Sequence, residues 1–93
     1  MRRFVIERDI SGIGKKTPSE YEGAARTSNG ALRELGPKIQ WVHSYVVENK
    51  TFCIYLATDE DLIRKHAALS GFPANKITEV VRMIDPTTEL GCG

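Results

Sequence analysis

Gln40-Trp41-Val42-His43-Ser44-Tyr45-Val46-Val47-Glu48-Asn49-Lys50-Thr51-Phe52-Cys53-Ile54-Tyr55-Leu56 decides the fold. Two runs rich in β-branched and aromatic residues flank the polar Glu48-Asn49-Lys50, the pattern of a β-hairpin with a short loop. Loop length sets the register, because side chains alternate between faces with period two. A two-residue loop places Trp41, His43 and Tyr45 beside Phe52, Ile54 and Leu56. A three-residue loop over Glu48 to Lys50 groups Val42, Ser44, Val46, Phe52, Ile54 and Leu56 on one apolar face. The other face then carries Trp41, His43, Tyr45, Thr51, Cys53 and Tyr55. The second register separates oily from reactive side chains and is the one expected here.

Upstream, Arg3 to Ile10 reads as the first strand, with Phe4 and Ile6 on one face and Val5 and Glu7 on the other. Ser11 to Lys16 is a loop. Its Gly12-x-Gly14 lacks the third glycine and the helix entry of a dinucleotide site. Thr17, Pro18 and Glu20 form a capping box with proline in the first helical position. Tyr21, Ala24, Ala25, Ser28, Ala31, Leu32 and Leu35 then share one helix face, and Gly36-Pro37 ends it. Gly30 in the interior costs about 1 kcal/mol relative to alanine.

Downstream of the hairpin, Thr58 caps a second helix, with Asp61 at the reciprocal position. Leu62, Ile63, His66 and Ala67 form its inner stripe, with Leu69 or Ser70 at the end, before Gly71 and Pro73 stop it. Lys76 to Asp85 reads as the last strand, closed by Pro86. Residues 87–93 carry no pattern and are expected to form a mobile tail after a single domain over residues 1–86. The order β-α-β-β-α-β defines an α+β, ferredoxin-like fold: a four-stranded antiparallel sheet with two helices on one face. The helix-free face, expected to carry Val5, Trp41, Tyr45 and Tyr55, holds too much aromatic surface to stay wet. A homodimer closed sheet to sheet is the natural solution.

The 93 residues suffice for one small core. A formal net charge of +1 gives no electrostatic argument for nucleic acid or an anionic membrane. No apolar run approaches the roughly 20 residues that span a bilayer. Met1-Arg2-Arg3-Phe4 runs straight into a strand without the apolar stretch of a signal peptide, so a cytoplasmic location is the default expectation. Cys53 in a strand and Cys92 in the tail do not make a disulfide framework, and Cys92 is expected as a free thiol.

His43 is the centre of the chemistry. Tyr45 flanks it, Cys53 or Tyr55 lies across the hairpin, and Glu7 shares the face if the first strand pairs with the third. Imidazole, thiolate and carboxylate together suit a late first-row divalent ion. The plainer reading is a dimer interface where His43 hydrogen-bonds Glu7 or a tyrosine, and no H-x-x-x-H or C-x-x-C pattern is present. His66 in an apolar stripe is either a core residue whose ring nitrogens find partners or a second, shallower ligand. Cys53 reads first as a small buried hydrophobe. A Cys-His catalytic pair would lack both an orienting Asn or Asp and an oxyanion loop, so no catalytic residue is nominated. Glu79 is ambiguous in facing and could pair with Lys76 or Arg82. The aromatic face lacks the interleaved Arg and Lys of a base-stacking surface.

Several of these motifs carry a resemblance. Phe4-Val-Ile-Glu-Arg8, Trp41-Val-His-Ser-Tyr-Val46, Thr51-Phe-Cys-Ile-Tyr55, Ile63-Arg-Lys-His-Ala67, Gly71-Phe-Pro73 and Lys76-Ile-Thr-Glu-Val80 resemble a family of small bacterial proteins. That family is known for a nickel-binding member that forms a dimeric ferredoxin-like α/β barrel. The resemblance spans about Phe4 to Pro86, and Ser11 to Gln40 match poorly. It implies a homodimer binding nickel or another divalent ion, in metal buffering or sequestration. The candidate ligands are His43, Glu7, Cys53, Tyr45, His66 and Glu79. Two rival readings stand beside it. One is a cofactor-poor oxygenase or isomerase working between two sheets, with His43 and Glu7 as acid and base and Tyr45 as donor; this rests on fold analogy. The other is an interaction module whose aromatic face meets a different protein.

Overall fold

In a computed structural model that describes residues 1–91, β1 (Arg2–Asp9), α1 (Pro18–Leu35), β2 (Ile39–Val46), β3 (Lys50–Ala57), α2 (Glu60–Ser70) and β4 (Lys76–Val80) follow the expected order. The sheet runs β2-β3-β1-β4 and every neighbouring pair is antiparallel. This is the ferredoxin-like arrangement. Phe4, Ile6, Cys53, Tyr55 and Ala57 project from the two central strands toward the helices, and Ile39 and Ile63 complete the core.

The helix ends follow their sequence signals. Thr17 accepts from the Glu20 amide, Glu20 reaches back, and Pro18 fills the first turn. Gly30 does not interrupt α1. The second helix starts one residue later than expected: Asp59 is its cap, accepting from the Leu62 amide at 3.0 Å. The Thr58 amide is instead bound to the Lys38 carbonyl at 3.1 Å, which keeps that residue in the strand connection.

The expected hairpin register is overturned. Val46 faces Thr51, Tyr45 faces Phe52, Ser44 faces Cys53 and His43 faces Ile54. The Val47 amide bonds the Lys50 carbonyl, so the turn proper is Glu48-Asn49, a two-residue loop. A β-bulge between Trp41 and His43 then shifts the parity, and Trp41 faces Tyr55. One extra residue sends Trp41 under the helices while His43 and Tyr45 stay on the open side. Thr51, Cys53 and Tyr55 also point toward the helices, and it is Phe52, Ile54 and Leu56 that lie on the open face. The oily side of β3 is therefore the side without helices.

Gly14 explains part of the early loop. Its amide donates to the Glu48 carbonyl at 2.9 Å, and a Cβ there would stand 2.7 Å from the Val47 carbonyl oxygen. Only glycine lets this loop lie against the hairpin turn.

Two C-terminal expectations change. The last strand stops at Val80 rather than Asp85, because Val80 already pairs with Arg3 and the first strand begins at Arg2. Beyond it, a run read as patternless forms a 3-10 helix over Pro86–Leu90, capped by Asp85 and closed by Gly91 at φ 78°. Cys92 lies outside the described residues.

Candidate functional site

The six candidate ligands fall in three places. On the open face, His43 and Tyr45 are exposed and stack edge to face, ring centroids 5.0 Å apart at 72°. Glu7 shares this face, opposite Phe52. It lies two strands from Tyr45, about 10 Å at ordinary strand spacing, and its carboxylate is held by Lys50 Nζ at 3.3 Å. That hydrogen bond, followed by the charge of Asp9, raises the Lys50 ammonium above its ordinary range. The hollow beside His43 is lined by Tyr45, Ile54, Val80, Met83, Arg3 and Arg82, so two guanidinium groups accompany the imidazole.

Cys53 and His66 lie on the helix side. The Cys53 thiol is buried beside the Thr51 hydroxyl at 3.5 Å. His66, 1% exposed, sits with Nε2 3.0 Å from Ser28 Oγ and 3.4 Å from the Ser28 carbonyl. Donation to the Ser28 carbonyl requires the proton on Nε2, and Nδ1 has no hydrogen-bond partner among the described residues. Burial, with the nearby Arg8 charge second, pushes the His66 pKa down. The Ser28 hydroxyl also meets the Tyr55 phenol at 3.2 Å, and burial raises that phenol's pKa.

Glu79 is the third case. Opposite Phe4 at the sheet edge, it takes a two-pronged contact from Arg2, 2.7 and 3.0 Å. That hydrogen bonding holds its carboxyl below the usual range.

Among the described residues, no group of three or more His, Cys, Asp or Glu side chains is placed to hold a metal ion. Among the described residues, the His43 imidazole has no carboxylate beside it and two arginines instead, which does not fit a divalent ion.

Sequence reasoning missed a second hollow. It lies between α1 and the sheet, with Arg8, Ser28, Thr51, Cys53 and Tyr55 as buried members and Trp41, Tyr21 and Phe72 nearer its mouth. One signal was available: Arg8 falls in phase with Phe4 and Ile6, which puts a charge on the core side of β1.

A ferredoxin-like sheet with one helix-free face, apolar in its centre and marked by an exposed His-Tyr pair, defines a small α+β protein. Residues 4–80 match the family described as nickel responsive protein SCO4226-like, and the chain belongs to that family. A crystal structure of SCO4226 from Streptomyces coelicolor A3(2) is similar in fold, with a TM-score of 0.74 over 88% of this chain and 99% of that one. Sequence identity there is 12%. No curated protein sequence matches the chain. Among the described residues, no helix is long and apolar enough to cross a membrane.

Proposed function

We propose that this chain works in the cytoplasm as a homodimer closed through its helix-free sheet face and binds nickel or a similar divalent ion there, without catalysis. Metal buffering or sequestration is the role such a protein would serve. The observation that carries the reading is the composition of that face. Val5, Phe52, Ile54 and Leu56 are only half-buried, and His43 and Tyr45 stand exposed beside them. A two-fold axis brings the same patch twice, so each copy supplies its own imidazole to the shared space. The family name, nickel responsive, supports the metal.

His43 is the first proposed ligand, with Tyr45 and Glu7 on the same face. Glu7 would first have to leave Lys50, an exchange that a divalent charge favours. Cys53 and His66 face the helices and Glu79 is clamped by Arg2, so those three stay outside the proposed shell. The decisive experiment is calorimetric titration of tag-free protein with nickel, alongside its mass from light scattering. A dimer with saturable binding that disappears in His43→Ala is expected. Unchanged binding in that variant, or a monomer at roughly 50 μM protein, a concentration where a specific homodimer should persist, would sink the reading.

A further inference from the structure

The cavity between α1 and the sheet has no part in the dimer reading, which concerns the opposite face. Its volume is about 300 Å³, at the lower end of small-molecule sites. Ala24 and Ala25 leave the space open on the helix side, and Ile13, Trp41, Val46 and Phe72 supply apolar wall. Arg8 is the single charged residue that lines it among the described residues.

Arg8 is 3% exposed, and a guanidinium stays charged at any ordinary pH. Its Nη1 is tied to the carbonyl oxygens of Pro73 at 2.8 Å and Phe72 at 3.4 Å. The guanidinium lies over the Phe72 ring at 6.0 Å and its charge acts on the Tyr55 phenol. Among the described residues, however, its buried Nη2 has no hydrogen-bond partner and no carboxylate pairs with Arg8. Buried charges are ordinarily paired, because desolvation without a counter-charge is costly. The Ser28 and Tyr55 hydroxyls also line the cavity, and because they are hydrogen-bonded to each other one O–H between them is left to donate to an anion.

We propose that this cavity binds a small monocarboxylate with an apolar body, its carboxylate resting on Arg8 and its body against Trp41, Ala24 and Ala25. One cation matches one negative charge, and the apolar wall disfavours strongly hydrated dianions such as phosphate. At about 30 Å³ per water-sized unit, the space suits a ligand of roughly ten non-hydrogen atoms. Guanidinium and carboxylate geometry then supplies orientation, as in other buried Arg sites.

Trp41 is the chain's only tryptophan, so its fluorescence reports directly on the cavity. The experiment titrates the full chain, in chelator, with benzoate, phenylacetate, isovalerate and octanoate, and with the neutral isostere phenylacetamide. At least one carboxylate is expected to saturate the Trp41 signal. The amide should bind about tenfold or more weaker than phenylacetate, reflecting the lost charge-assisted contact. Arg8→Met should remove that preference while keeping a cooperative unfolding transition. Ala25→Leu, which fills the cavity and leaves Arg8 in place, should weaken both ligands together. Failure of every carboxylate to saturate by roughly 10 mM would overturn the proposal, as would equal binding of amide and acid. Should Arg8→Met not fold, the acid-amide comparison and Ala25→Leu decide alone. Nickel and dimer measurements do not bear on the result, so this proposal and the metal reading can fail separately.

Discussion

His66 shows how one side chain ties the core to pH. It is buried and neutral, bound to Ser28, and repelled by the Arg8 charge if it takes a proton. Its folded pKa therefore lies below the unfolded value of about 6.5. Between those two values the unfolded chain binds more protons, so stability rises with pH there. The contribution is complete above about pH 6.5 and is lost as pH falls below it, until the folded pKa is reached. Urea unfolding should show the midpoint dropping from roughly pH 7.5 to 5, at no more than about 1.4 kcal/mol per pH unit from this one group. His66→Gln should be less stable near neutrality yet flatter with pH. An identical slope in the variant would assign the titration to another group. Ser28→Ala tests the same network from its centre: it strips a partner from both His66 and Tyr55 and should cost about 1–3 kcal/mol.

At the scale of elements, helix α1 carries an avoidable weakness and the preceding loop carries a necessary one. At Gly30 a Cβ would meet nothing nearer than Arg33 Nη2 at 3.9 Å. Gly30→Ala should stabilise the chain by about 0.5–1 kcal/mol, by propensity and a smaller unfolded-state entropy. Gly14→Ala drives a methyl into the backbone of Val47 and Glu48 and should destabilise by about 1–3 kcal/mol. Thermal melts of the two variants should shift in opposite directions. The contrast also marks what the sequence could convey. The α1 cap, the helix faces and the order of elements were legible because each rests on neighbouring residues: Thr17 with Glu20, or Ser28 with Ala31. The α2 cap was misplaced by one residue, from Asp59 to Thr58. The hairpin register was not legible, because both faces of β3 look like core. Phe52, Ile54 and Leu56 are the oilier set, yet Thr51, Cys53 and Tyr55 are the ones buried. A bulge at Trp41–His43 has no glycine or other local mark, and it decided which aromatic residue went inside. The placement of His43, Tyr45 and Glu7 on one face survived this error, while Cys53 was lost from it. The Arg8 cavity depends on contacts among α1, β1 and the Phe72-Pro73 turn, which no short window of sequence contains.

On the scale of the whole molecule, the chain is more spread than its length requires. Its radius of gyration is 14.2 Å, against roughly 12 Å for a typical domain of this size. A sheet covered on one side accounts for part of this, and the segment after β4 for more. Val81 is 99% exposed, with Met83 and Ile84 at 62% and 69%, and these two residues border the hollow beside His43. Three strands of eight residues and one of five present a face of roughly 460 Å² before side chains are counted. A standard interface takes about 800 Å² from each partner, so the sheet alone falls short and this segment is the apolar surface available to make up the difference. If the dimer forms as proposed, the double change Met83→Asp with Ile84→Asp should weaken it by at least about tenfold while leaving the far-ultraviolet circular dichroism unchanged, since neither residue touches the core. Ile54→Glu, at the centre of the face, should weaken it further. Sedimentation velocity across a dilution series measures both effects. Wild-type association in the double variant would mean that the sheet face alone carries the contact. A monomer in Ile54→Glu that still binds nickel as the wild type does would place the metal within one chain, against the shared site built on His43.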